Sequence, residues 1–117
     1  MKILITGAGG FIGKNFCLRC SKEGINFFGL DRDRDNFLDL VTLMEDYPPW
    51  SHRQLDTSQV LEDIKEGLYD VVVHLAAVPR VPYSIEHPIE TTEENIVKVV
   101  ELLDACVKGK VKRFVFA

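Results

Sequence analysis

The run Thr6-Gly7-Ala8-Gly9-Gly10-Phe11-Ile12-Gly13 spaces Gly7, Gly10 and Gly13 three apart, behind a short β-branched run and ahead of a stretch of helical periodicity. A strand, a turn and a helix in that order point the free amides of the helix's first turn, around Phe11 and Ile12, at whatever lies beyond its positive end. Such donors suit an anion. Gly7 permits the tight exit from the strand, Gly10 leaves room for a diphosphate against the backbone, and Gly13 lets the helix pack closely on the sheet.

Asp31 ends the second β-branched run, 18 positions after Gly13. An acid near that distance accepts hydrogen bonds from a ribose diol and repels a 2′-phosphate, which favours NAD over NADP. The rival reading makes Asp31-Arg32-Asp33-Arg34-Asp35 a solvated, self-neutralising turn, which fits Asp33 and Asp35. Arg32, just beyond the strand, is a further cofactor-contact candidate because a guanidinium there could pair with a 2′-phosphate.

These residues need a scaffold, and the chain alternates short β-branched runs with helical spacing. Strands are predicted at Lys2 to Thr6, Asn26 to Leu30, around Arg53 to Leu55, Val71 to Ala76 and Val111 to Ala117. The first helix follows the glycines, with Ile12, Phe16 and Cys20 on its buried stripe, and stops near Gly24. A second covers Asn36 to Asp46 and is halted by Pro48-Pro49. A brief third, capped by Thr57 or Ser58, carries Val60, Leu61 and Ile64. A long fourth runs from about Thr92 to Lys108, with Ile96, Val99, Val100, Leu103 and Val107 as its buried stripe. Right-handed crossovers then give an α/β, doubly wound parallel sheet of order 3-2-1-4-5, with helices on both faces in three αβα layers. Its ligand crevice lies between strands one and four, where Thr6 to Gly13 and His74 to Ser84 meet.

At 117 residues, 46% hydrophobic and 27% charged, the chain has the composition of one globular domain spanning 1–117. A formal charge of −4 with scattered basic residues offers no footprint for nucleic acid. The longest apolar run, Val71 to Val78, is broken by His74 and stopped by Pro79, well short of the roughly 20 residues a membrane helix needs. Three cysteines, Cys17, Cys20 and Cys106, behind a start unlike a secretory signal, predict reduced thiols and a cytoplasmic protein.

The glycine spacing is that of the short-chain dehydrogenases, and TGAGGFIG resembles the extended branch that includes the NAD-dependent epimerases and dehydratases of nucleotide sugars. His74-Leu75-Ala76-Ala77, with Val81, Ser84 and Pro88, is similar to that branch's HLAAxxxVxxSxxxP segment. Asn95 stands where the branch's long helix carries an asparagine, and VKRFVFA resembles its fifth strand. The resemblance implies a Rossmann domain in which Asp56 approaches the adenine while Leu75, Ala76 and Ala77 line the path to the nicotinamide ribose. Capping the following helix is the alternative for Asp56. It further implies a nucleotide sugar as the intact relative's substrate, hydride transfer at a sugar carbon, and a homodimer paired through helices.

The family's chemistry uses a Tyr-x-x-x-Lys pair on a later helix. Here the fourth residues after Tyr47, Tyr69 and Tyr83 are Ser51, Val73 and His87. The expectation is therefore a cofactor-binding part that lacks the catalytic and substrate-binding part and binds without turnover. No catalytic residue is assigned, and the alternative is a non-catalytic dinucleotide-binding or scaffold module. Cys17 and Cys20 have redox spacing but sit inside a helix, as packing thiols. His52, His74 and His87 show no metal-ligand spacing. His74, inside its strand, reads as a buried, hydrogen-bonded histidine.

Overall fold

A computed structural model describes residues 1–31, 57–76, 85–92 and 96–116. The predicted helix at Asn36 to Asp46 and the strand around Arg53 to Leu55 lie outside the described residues, as do Arg32, Asp56, Ala77, Ser84 and Asn95. In chain order the elements are β1 (Ile3–Thr6), α1 (Phe11–Lys22), β2 (Phe27–Leu30), α2 (Thr57–Lys65), β3 (Val71–His74), α3 (Pro88–Thr92), α4 (Lys98–Lys108) and β4 (Arg113–Phe116).

The described strands form one parallel sheet of order β2-β1-β3-β4. The described strands follow the 2-1-4-5 part of the predicted 3-2-1-4-5 order, and the expected third strand lies outside the described residues. Ile3 lies opposite Phe27 and Val71, and Thr6 opposite Leu30 and His74. Strands β1, β2 and β3 are apolar at successive positions because both faces are covered. Leu4, Leu30 and Val72 pack with Val60 and Ile64 of α2 and Leu102, Ala105 and Cys106 of α4. Ile3, Ile5, Phe27 and Val73 point the other way, toward Cys17 and Cys20 of α1. Helices on both faces make the three-layer α/β arrangement.

Both predicted helix stripes need correction. In α1 the buried residues are Gly13, Cys17 and Cys20, whereas Ile12 is 62% exposed and Phe16 is exposed as well. Small residues won this face because they let the helix lie close against the sheet, which turns the bulky neighbours outward. In α4, Leu102, Ala105 and Cys106 are buried while Val100, Leu103 and Val107, and Ile96 just ahead of the helix, are exposed. Two apolar stripes run along this segment, and periodicity alone does not say which one meets the sheet.

The junction between α2 and α4 explains the choice. A Cβ at Gly109 would overlap the Ile64 carbonyl, so the end of α4 sits directly on α2. That contact takes the glycine, and the left-handed residue closing the helix is Lys110, φ 56°. Strand β3 also stops two residues before the predicted Ala76, because the Leu75 and Ala76 amides turn toward Thr6.

Candidate functional site

The glycine turn leaves β1 at the centre of the sheet, beside the end of β3. Gly7 has φ +68°, and a Cβ there would lie 2.8 Å from the Ala76 nitrogen and the Leu75 carbonyl carbon. A Cβ at Gly13 would overlap the Gly7 carbonyl oxygen. The protein itself therefore demands glycine at both positions. Gly10 differs. Its φ is −73°, and among the described residues a Cβ would meet only the Gly7 oxygen, at an ordinary 3.4 Å.

Gly10 is also the N-cap of α1, and no side chain caps the helix there. The first turn carries no acidic residue to offset the helix's positive end. Helix geometry leaves the Phe11, Ile12 and Gly13 amides without intrahelical acceptors. The Phe11 side chain, 86% exposed, and that of Ile12 stand at the mouth of this turn. The arrangement can take an anionic group on main-chain donors.

Asp31 follows the last residue of β2 and reaches the same turn. Its Oδ2 accepts a hydrogen bond from the Gly9 amide at 2.8 Å. The Ala8 amide donates to the Leu30 carbonyl at 3.0 Å, and the Gly10 amide to the Gly7 carbonyl at 3.1 Å. The structure thus brings Gly7, Gly10, Phe11, Ile12, Gly13 and Asp31 to one edge of the sheet. Leu75 and Ala76 join them from β3, pressed against Gly7. Arg32, Asp56 and Ala77 fall outside the described residues.

Thr6 is a residue that the sequence pattern marks only as a strand end. Its hydroxyl lies 2.7 Å from His74 Nδ1 and accepts from the Leu75 and Ala76 amides at 3.2 Å each. The available signal is a hydroxyl and an imidazole ending two buried strands that flank the ligand crevice. His74 is buried and stacks on Phe116, with centroids 6.0 Å apart and planes at 16°. Gly9 escapes sequence reasoning in the same way, since the value of its amide shows only once Asp31 is placed beside it.

The thiols are packing groups. Cys17, Cys20 and Cys106 are buried and free of disulfides. Burial pushes the Cys17 thiol up to about 12 and Cys106 to about 11, and raises Cys20 as well, so neutral thiols are the stable form. Among the described residues no three His, Cys, Asp or Glu side chains gather as a metal site.

Known proteins share this fold. The model of the NAD dependent epimerase/dehydratase family matches residues 3–117. The dTDP-D-glucose 4,6-dehydratase of Dictyostelium discoideum is 36% identical over 123 residues, covering 98% of this chain and 28% of that protein. A UDP-glucose 4-epimerase of Caenorhabditis elegans is 28% identical, covering 100% of this chain and 37% of its own length. Among solved structures, the UDP-glucose-4-epimerase of Stenotrophomonas maltophila with bound NAD and formylated UDP-arabinopyranose superposes with a TM-score of 0.83 at 25% identity, over 99% of this chain and 36% of that one. The Thermus thermophilus UDP-glucose 4-epimerase in complex with NAD gives 0.78 at 26%, over 97% and 36%. The chain thus spans about a third of the length of the relatives it matches. The chain belongs to the NAD dependent epimerase/dehydratase family.

Proposed function

We propose that this chain is a dinucleotide-binding domain that holds NAD across the carboxyl ends of β1, β2 and β3. The Phe11 and Ile12 amides take the diphosphate over Gly10, the Asp31 carboxylate takes the adenosine ribose diol, and Leu75 and Ala76 line the nicotinamide side. Arg32, Asp56 and Ala77 complete the list from outside the described residues, with Asp56 toward the adenine. The observation carrying this reading is Gly10: alone in the triplet, no atom of the described residues and no backbone angle calls for a glycine there. Space kept open at a helix's positive end, beside a carboxylate, fits a diphosphate followed by a diol. An acid at Asp31 places NADP second.

When bound, the nicotinamide supplies a hydride acceptor. The family resemblance implies that, in a longer relative, a carbon of a nucleotide sugar would give up the hydride and a tyrosine would take the hydroxyl proton. None of the three tyrosines here has a lysine four residues on, so this chain binds cofactor and does not turn over. Two copies pair through the exposed Val100, Leu103 and Val107 of α4 together with Ile96 just ahead of it. The three buried free thiols suit a reducing cytoplasm. The −4 charge argues against nucleic acid, and no described helix is long and apolar enough to cross a membrane.

Thermal unfolding followed during titration with NAD and NADP tests the binding. Ligand at 100 times its dissociation constant adds about 2.7 kcal/mol. A rise with NAD, smaller with NADP, is expected, and no rise with either overturns the reading. Sustained NADH production from UDP-glucose or dTDP-glucose by the purified chain would overturn the non-catalytic part.

A further inference from the structure

The mooring of the glycine turn on β2 carries a second role for its acid. We propose that Asp31 is a positioning residue that holds the turn in its anion-binding shape, in addition to any contact with a ribose. The ligand in this inference rests on the diphosphate reading above, but the geometry does not. Among the described residues, two hydrogen bonds fasten the turn to the end of β2: Ala8 to the Leu30 carbonyl through main chain, and Gly9 to Asp31 Oδ2 at 2.8 Å through a side chain. Gly9 sits between two further residues of the turn, Ala8 and Gly10, and glycine has the widest choice of backbone conformations. A carboxylate acceptor is the stronger kind of partner for such an amide. With Gly9 held, Gly10 closes on the Gly7 carbonyl and delivers the chain to the first turn of α1 in one arrangement.

Charge and geometry here act with opposite signs. A carboxylate beside an anion site opposes the anion by Coulomb repulsion. If Asp31 served only as a ribose acceptor, deleting it would leave a ribose-free anion bound as tightly as before, or more tightly. If it holds the turn, deletion weakens even that anion. Any residue exchanged at this position to alter cofactor preference then needs an acceptor for Gly9.

The test compares the full chain with Asp31→Asn and Asp31→Ala, using inorganic diphosphate as the probe and the hydrogen-exchange rate of the Gly9 amide in ligand-free protein as a second readout. Asn keeps an oxygen for Gly9 and drops the charge, so diphosphate binds at least as well as to the unaltered chain and Gly9 exchange changes little. Ala drops both, so diphosphate binding weakens about fivefold and Gly9 exchange accelerates about tenfold. Should Asp31→Ala fail to fold, Asp31→Ser, whose oxygen stops short of Gly9, replaces it with the same expectation. Unchanged Gly9 exchange in the Ala or Ser variant overturns the proposal. If the unaltered chain takes no diphosphate, the anion reading falls, while the exchange rates still decide whether Asp31 holds the turn.

Discussion

Thr6 and His74 face each other across the boundary of β1 and β3, with 2.7 Å between hydroxyl and Nδ1. Because the Leu75 and Ala76 amides both donate to that hydroxyl, its own hydrogen goes to Nδ1, and the imidazole proton is assigned to Nε2. The contact joins the strand that launches the glycine turn to the one that presents Leu75 and Ala76. Each bond is short-range, yet together they fix the relative position of the two halves of the site.

Replacing Thr6 by Val keeps the shape and removes the oxygen. The Ala76 amide and Nδ1 then lose a buried partner, which costs about 1–3 kcal/mol. Thr6→Ser retains the hydroxyl and stays nearer the original stability. Urea unfolding of the three proteins measures the difference, and equal midpoints for Thr and Val would refute the role of the hydroxyl.

Much of this was legible in the sequence because the determining signals are local. The strand at Ile3–Thr6, the glycine spacing and Asp31 at the end of β2 each depend on residues adjacent in the chain, so the sheet order and the placement of the turn followed. Helix orientation was not legible. Ile12 and Phe16, or Ile96 and Val100, satisfy the same period as the residues that are buried, and the deciding contacts lie elsewhere, Gly13 on Gly7 and Gly109 on Ile64. The Thr6 to His74 link spans 68 positions and shows only when parallel register sets them side by side.

Alkaline pH should destabilise the fold through groups kept neutral by burial. Desolvation raises Cys17 and Tyr69 to about 12 and Cys106 to about 11. Thiols and phenols in the unfolded chain ionise near their ordinary values of 9.0 and 10.0. Well below about pH 9 both states hold these protons and stability is unaffected by them. From there upward the unfolded chain releases protons first, so stability falls until the folded-state values are passed. Unfolding midpoints between about pH 8 and 11 should decline, and Cys17→Ala should flatten the slope. A constant midpoint would contradict the neutral, desolvated assignment.

The outward stripe of α4 predicts self-association. Ile96, Val100, Leu103 and Val107 repeat at i, i+4, i+7 and i+11 on the face turned away from α2. Sedimentation equilibrium should give a dimer. A Val100→Glu, Leu103→Glu double variant should sediment as a monomer with its helical circular dichroism retained. A monomeric starting chain would remove the proposal that copies pair here.

The central claim is that Gly10 is a glycine for the sake of a bound diphosphate. Isothermal titration of NAD into the chain and into Gly10→Ala tests it most directly, because among the described residues the added methyl meets only the Gly7 oxygen, at 3.4 Å. The account predicts an unchanged unfolding midpoint and an NAD affinity at least about tenfold weaker, as expected where a backbone must approach a pyrophosphate. An Ala variant that folds normally and binds NAD as tightly as the unaltered chain would contradict it.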